Sequence, residues 1–466
     1  MDLYGRAARR VVFPIGDFLR QVPIGQRLED LERSQWWAPV QLREYQNERL
    51  LALVRHAYEN VPYYGQVMRE RRIHPDDIRS VADLPKLPVL TKEIVRQHAS
   101  MLRARGLSDS ELTQAHTGGS TGAPLHFLHD RETRAVQQAA FRRGLRWAGF
   151  NWGDPVISVS GGTLGTSRTA IRERLRRIVT RYHFVPAFEL RPDTIADVAH
   201  RVRRIRPVAA IGYTSSLYVM ARLLHEANER VQVPLVFTTA ETLLPAHVNR
   251  IEQTLIARVF DYYGCGEVNS IAFQCERRDG YHVADEKVVI ETLPLTPEGE
   301  CDGENPGRAV ITDLTNYAFP FIRYENGDAI VFDETTCSCG RGLSRLSRIL
   351  GRVHDFIVTA AGDLLAGEFF PHLFGFSTSV KEYQIIQDGP GEVTVKLVVE
   401  SDWGPDSERW LLLKLHEYLG ASMAIRLDYV DEIPRTRAGK LRVTVSHLPL
   451  EEILRAGRVR TPAAIP

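Results

Sequence analysis

Apolar residues recur at helical spacing across residues 41–72, where Leu42, Leu50, Leu51, Leu53, Val54 and Ala57 form the repeating face and Asn60-Val61-Pro62 ends the run. Past Pro85 and Pro88, Thr91-Lys92-Glu93 suits a helix start. Beyond residue 150, short apolar runs at 155–159, 208–211, 235–238 and 258–262 alternate with helical patterns, which predicts an α/β domain. Near Gly280 the pattern changes. Segments 288–290, 308–312 and 329–332 read as strands between Gly, Pro and Asn turns, a β-rich closing unit for the large domain. From Gly351 a second unit begins, with strands at 353–358, 383–387 and 393–399 and an amphipathic helix at 408–419. The expectation is a large domain over 1–350 and a small α+β C-terminal domain over 351–466, joined by a hinge near 350–356.

Composition supports this division. A chain of 466 residues exceeds the size at which one core keeps growing, and 44% hydrophobic with 25% charged residues is ordinary for a globular protein. The net charge of +1 lacks the basic excess of a nucleic-acid binder, and the arginine-dense stretch 168–181 reads as a solvated helix face. No run of about 18 apolar residues could span a bilayer, and the N-terminus lacks the pattern of a signal peptide, so a cytoplasmic protein is expected. Residues 1–21 place Arg6, Arg9 and Arg10 beside Val11, Val12, Phe13, Ile15, Phe18 and Leu19. Such a helix could lie on a membrane, although packing against the body of the protein is the preferred expectation. Five cysteines, an odd number, point to metal ligation or free thiols rather than a disulfide framework.

The densest chemistry lies in His116-Thr117-Gly118-Gly119-Ser120-Thr121-Gly122-Ala123-Pro124. Glycines let backbone N–H groups turn toward an anion, and the hydroxyls add donors to phosphate oxygens. The GK[ST] ending of the Walker loop is absent. A plain surface turn competes until four further segments are added. These are Tyr262-Tyr263-Gly264-Cys265-Gly266-Glu267, the run from Thr312-Asp313-Leu314-Thr315-Asn316-Tyr317 to Ile322-Arg323-Tyr324-Glu325-Asn326-Gly327-Asp328, Gly351-Arg352-Val353-His354-Asp355, and Pro434-Arg435-Thr436-Arg437-Ala438-Gly439-Lys440.

In this order the segments resemble the adenylate-forming superfamily of acyl-CoA synthetases, luciferases and adenylation domains. The finer pattern is similar to the phenylacetate–CoA ligase branch and its capsule-biosynthesis relatives, over residues 43–445. The resemblance implies a large AMP-binding domain, a small mobile C-terminal domain and an ATP-dependent ligase that forms an acyl-adenylate with release of pyrophosphate. It implies Thr117, Gly118, Gly119, Ser120, Thr121 and Gly122 on the phosphates, Tyr263 and Gly264 at the adenine and Ala240-Glu241 beside it. It also implies Glu267 as the Mg²⁺ ligand, Asp328 on the ribose, Arg352 as a second nucleotide contact and Lys440 as the mobile catalytic cation. Two positions depart from the wider pattern: Leu125 stands where many loops carry a lysine, and His354 occupies the usual pivot position.

CoA is the implied acceptor, with a carrier-protein phosphopantetheine or an amine as alternatives, and a non-catalytic nucleotide-binding protein as the reading from another class. A small-molecule carboxylate, aryl or acyl, is the implied substrate. Segments 158–166 and 212–217, with Tyr213, Tyr218 and Phe237, are the candidate acyl pocket, and a homodimer is left open. Cys275, His282, Cys337 and Cys339 supply three thiolates and an imidazole, the ligand set of a closed structural zinc site; free thiols and a surface histidine are the alternative. Cys265 is expected to line the pocket without acting as a nucleophile, and Cys301 to be a free thiol.

Overall fold

The computed structural model describes residues 3–117, 124–160, 179–296, 306–367, 370, 373–374, 379–435, 441–457 and 459–460. Strands β1 (Thr113–His116) and β2 (His126–His129) form an antiparallel hairpin. The next eleven strands make one sheet. Its parallel part comprises β3 (Val156–Ser160), β4 (Tyr182–Pro186), β5 (Ala209–Tyr213), β6 (Leu235–Thr239) and β7 (Arg258–Tyr263). Alternate residues serve opposite faces: Ala210, Val236 and Val259 join the core under helices Ile195–Ile205, Thr214–Glu226 and Pro245–Leu255, while Ala209, Phe237 and Phe260 pack with Leu145 and Phe150. Burial on both faces explains why β3, β5, β6 and β7 read as continuous apolar runs, whereas the part-exposed edge strand β4 did not.

The antiparallel part comprises β8 (Ala272–Phe273), β9 (Tyr281–Val283), β10 (Val288–Pro294), β11 (Pro306–Asp313), β12 (Tyr324–Asp333) and β13 (Arg345–Arg352). The strand order is β10-β11-β12-β13-β9-β8-β7-β6-β5-β3-β4. The β-rich unit is therefore not a separate sheet. It continues the parallel one, because the short strand β8 pairs with β7 in reverse. Helices Pro39–Asn60 and Pro62–Glu70, split by Pro62 at the start of the second, bury Leu50, Leu53, Val54 and Met68 against this part.

After β13 the chain makes a short turn of helix at Val353–Asp355 and then β14 (Ile357–Val358), so the single strand expected over 353–358 is broken into two pieces. Strands β14, β15 (Leu364–Leu365) and β20 (Val459–Arg460) form a small sheet. Strands β16 (Val380–Gly389), β17 (Glu392–Val399), β18 (Ala424–Tyr429) and β19 (Thr444–Ser446) form another, covered by helix Pro405–Leu419 through Leu411, Leu415 and Leu419. Packing is continuous across residues 350–351: Ala329, Val331 and Leu350 share a buried cluster with Val353, Phe356, Ile453 and Val459. Residues 3–20 are helical, and no helix among the described residues is long and apolar enough to cross a membrane. Arg181 of the arginine-dense stretch is stacked over Tyr4, whereas 168–178 and Cys301 lie outside the described residues.

Candidate active site

A cavity of about 2050 Å³ opens where Tyr213, Thr239 and Tyr263 end strands β5, β6 and β7, and its other wall carries Lys381, Tyr383, Arg442 and Thr444. Clefts outside the carboxyl ends of strands are the usual ligand sites of open α/β sheets. After β7 the chain turns sharply at Gly264, where a Cβ would meet the Ser270 nitrogen at 2.9 Å. This turn carries Cys265 and Glu267. The Glu267 side chain is only 3% exposed, and the buried hydroxyl of Tyr324 donates to its Oε1 at 2.5 Å. A buried carboxylate with one orienting donor keeps its remaining lone pairs for a cation.

Next to it, Asp328 is held from three sides. Tyr263 Oη donates to Asp328 Oδ2 at 2.8 Å, Asn326 Nδ2 donates to the same oxygen at 2.6 Å, and Arg352 Nε reaches Oδ1 at 2.8 Å. Asn326 also donates to the Tyr263 hydroxyl at 2.7 Å. Register explains the meeting: Asp328 on β12 sits opposite Arg352 on β13. Burial and the Asp328 carboxylate hold the Tyr263 hydroxyl well above its ordinary pKa, so it stays a donor. Burial likewise pushes the Cys265 thiol upward, with Glu267 and Asp328 adding to the shift, and it lines the cavity as a neutral group.

Thr117 closes the base of the hairpin loop: its Oγ1 accepts from Leu125 N at 3.0 Å, and its N–H donates to Leu125 O at 3.0 Å. Both residues line the cavity beside Gly266. Gly118, Gly119, Ser120, Thr121 and Gly122 lie outside the described residues, as does Lys440, whose neighbour Leu441 lines the cavity. Ala240 adopts φ +68°. Glu241 turns its carboxylate to helix Thr214–Glu226, accepting from Ser215 N at 2.7 Å and Ser215 Oγ at 3.0 Å. His354 lines the cavity, and burial lowers its pKa.

Three residues of the site carried no assigned role in the sequence: Lys92, Tyr324 and Asn326. Lys92 Nζ donates to the Asn326 carbonyl at 2.7 Å and lines the cavity. Burial depresses its pKa, the nearby Arg352 adds to the depression, and Glu267 and Asp328 oppose it. A signal was available. Thr91 caps helix Lys92–Gln97 through its Oγ1, leaving a lysine in the first turn, where the helix dipole disfavours a cation. Two motif segments prove structural instead. Arg323 spends its guanidinium on Leu87 O at 2.6 Å and on Glu291, and Asp313 accepts from Thr315 N at 3.0 Å and Thr315 Oγ1 at 2.6 Å while facing Lys287.

A second cluster lies behind the Glu267 turn. The ligand atoms of Cys275, His282, Cys337 and Cys339 all fall within 4.8 Å of one another, with Cys275 Sγ and Cys337 Sγ 3.8 Å apart and Cys339 Sγ 3.3 Å from His282 Nε2. His282 is buried, not a surface histidine, and its ring meets Trp147 edge-on at 5.6 Å.

Residues 357–447 match the family model of the CapK C-terminal domain. The chain is 26% identical to a phenylacetate-coenzyme A ligase of Thermus thermophilus over 435 residues, covering 86% of this chain and 95% of the relative. It is 27% identical to a phenylacetate-coenzyme A ligase of Aromatoleum evansii over 450 residues, covering 91% and 98%. Among solved structures, a 2-hydroxyisobutyryl-CoA ligase in the postadenylation state aligns with a TM-score of 0.71 at 18% identity, covering 89% of this chain and 92% of that one. Over most of its length the chain is thus similar to phenylacetate-coenzyme A ligases, and it shares its fold with a 2-hydroxyisobutyryl-CoA ligase.

Proposed function

We propose that the chain is an AMP-forming ligase that activates a small-molecule carboxylate, aryl or acyl, with MgATP and transfers the acyl group to CoA. The observation that carries this reading is the convergence of Glu267, Asp328, Arg352 and Lys92 on one cleft at the ends of the parallel strands. Asp328, fixed by Tyr263, Asn326 and Arg352, suits the ribose hydroxyls, with the Tyr263 ring beside the base. Glu267 would hold Mg²⁺, whose preference is for carboxylate and phosphate oxygens and which would neutralise charge on the phosphates. Thr117 and the loop 118–122 would close over the triphosphate. Lys92 supplies a resident cation where the loop itself has Leu125 instead of lysine, and Lys440 would bring a second one from the C-terminal domain, taken as 351–466. Ala240 and Glu241 shape the adenine side, the latter by anchoring a helix start. A cytoplasmic site of action suits ATP and CoA as co-substrates.

The test is carboxylate-dependent ATP–pyrophosphate exchange across a panel of acids, followed by product analysis with CoA, carrier protein and amines. Exchange with at least one aryl or acyl acid and a CoA thioester product are expected. ATP binding with no exchange for any acid would overturn the proposal, and transfer to a carrier protein or an amine alone would replace the acceptor.

The same reading gives a structural zinc to Cys275, His282, Cys337 and Cys339. A Zn–S bond of about 2.3 Å implies sulfur atoms about 3.8 Å apart on a tetrahedron, which agrees with the Cys275–Cys337 separation. The metal would staple β8 and β9 to the turn between β12 and β13. Elemental analysis of the purified protein should find close to one zinc per chain, and Cys337→Ser should lose it.

A further inference from the structure

The N-terminal helix leaves a cluster of large apolar side chains uncovered. Residues 3–20 are helical throughout, with one widened turn at Ala8–Val12, and the run ends at Gln21 in the left-handed conformation. One side is fastened to the body. Tyr4 Oη donates to Val179 O at 2.9 Å, Arg9 pairs with Asp154 at 3.0 Å, Ala8 is 1% exposed, and Phe13 lies under the Arg142 guanidinium. The other side carries the large apolar residues outward: Val11, Ile15, Phe18 and Leu19, of which Phe18 is 82% exposed and Leu19 74%. A second apolar face turned outward, opposite the side fastened by Tyr4, Ala8, Arg9 and Phe13, is not the pattern of a helix that serves only its own core.

The charges on the helix select the occupant. Arg6 and Arg10 are exposed, one turn apart, and neither has a hydrogen-bond or ion-pair partner among the described residues. The only acid in the helix, Asp17, accepts from Gly25 N at 3.0 Å and so is held at the chain's own next helix. A second copy docking across this face by a two-fold axis would bring arginines toward arginines with no acid from the helix to answer them. An anionic lipid surface answers both features, since it takes the apolar side chains below the headgroups and the arginines at them.

We propose that the outward face of the N-terminal helix is a docking surface for anionic lipid bilayers, through which the whole enzyme attaches peripherally to a membrane. It does not depend on the ligase reading. The test uses the full-length chain in flotation with vesicles of phosphatidylcholine alone and of phosphatidylcholine with phosphatidylglycerol. The wild type should float with the anionic vesicles. Phe18→Ser with Leu19→Ser should lower the bound fraction by about tenfold or more. Arg6→Gln with Arg10→Gln should weaken binding to anionic vesicles by roughly 25-fold, about fivefold per arginine, and leave binding to neutral vesicles unchanged. Circular dichroism and thermal melting of both variants should match the wild type, because the altered side chains are at the surface. A wild type that stays behind while anionic vesicles float would overturn the proposal, as would equal binding by both variants. Light scattering that finds a dimer, split by the Phe18 and Leu19 changes, would assign the face to a second copy instead.

Discussion

Lys92 sits where helix electrostatics alone would not keep it: in the first turn of a short helix, half-buried, beside Arg352. Glu267 and Asp328 favour its charged form, yet burial outweighs them and its pKa lies below the ordinary 10.5. A cation kept there at a cost is most useful if phosphate oxygens arrive to meet it. Lys92→Met should therefore lower kcat/KM for ATP in the exchange reaction by about 10²–10³-fold, the usual scale for removing a preorganised charge contact. The sign of the pH effect follows from the depressed pKa. The charged form exists below that pKa, so kcat/KM, which reports the free enzyme, should fall as pH rises through it, earlier than for an ordinary lysine. Lys92→Arg should move that alkaline limb upward, and an unchanged limb would remove Lys92 from the proposed nucleotide site. The meeting of Tyr263, Glu267, Asp328 and Arg352 at one cleft was legible because their motifs are compact and ordered. Lys92 was not, since it reaches the cleft from more than 170 residues ahead of Tyr263, and only its misfit with the helix dipole marked it.

At the scale of elements, the Thr312–Tyr317 motif explains itself as a brace. Asp313 on β11 and Lys287, just before β10, are both fully buried with Nζ and Oδ2 3.4 Å apart, and Asn316 Nδ2 donates to Leu128 O on β2 at 3.0 Å. The turn thus supports the hairpin whose loop follows Thr117. Asp313→Ala leaves a buried lysine without its counter-ion, and the expected cost is about 3–5 kcal/mol of stability, read from denaturant unfolding. Lys287→Met combined with Asp313→Leu should recover most of that loss, because the buried pair itself contributes little net stability. A double variant as unstable as the single one would show that the carboxylate's bonds to Thr315 matter more than the ion pair. The same scale shows why some strands were read and others missed. Strands β5, β6 and β7 are buried on both faces and announce themselves as apolar runs. Strand β13, by contrast, reads Arg-Leu-Ser-Arg-Ile-Leu-Gly-Arg, and its buried Arg345 is paid for by Asp333 at 3.0 Å. A partner twelve residues earlier hides that burial from any local pattern. The break at Val353–Asp355 was hidden too, since the run Val-His-Asp-Phe-Ile-Val is apolar enough to read as one strand and carries no Gly or Pro to mark the turn.

For the whole molecule, the two lysines should separate the half-reactions. Lys92 is held on the large unit by the Asn326 carbonyl and would stay beside the nucleotide wherever the C-terminal unit moves. Lys440 belongs to the segment after Arg435, which pairs with Glu382 on β16 at 2.9 Å, and just before Arg442, which pairs with Asp355 at 2.7 Å. Both anchors are residues beyond Gly351, so the segment would travel with that unit. If the C-terminal unit rotates between adenylation and transfer, Lys440 is needed only while pyrophosphate leaves. Lys440→Met should then reduce ATP–pyrophosphate exchange by about 10²–10³-fold and leave thioester formation from a supplied acyl-adenylate close to wild type. Lys92→Met should slow both steps, because on the proposed function the AMP phosphate would stay in the cleft throughout. Rapid-quench assays of each half-reaction give the two rates directly. The contrast is sharper than either variant alone: a fixed C-terminal unit would make the two substitutions alike, with both steps lost together, whereas a moving one makes them differ in the second step only. The buried cluster joining Val331 and Leu350 to Phe356 and Ile453 limits how that motion can occur. Rotation that parted it would expose several large apolar side chains at roughly 1.5–3 kcal/mol each, so the transfer arrangement must cover them again with other surfaces. A chain that performs the second step quickly with Lys440 absent has made that exchange of partners.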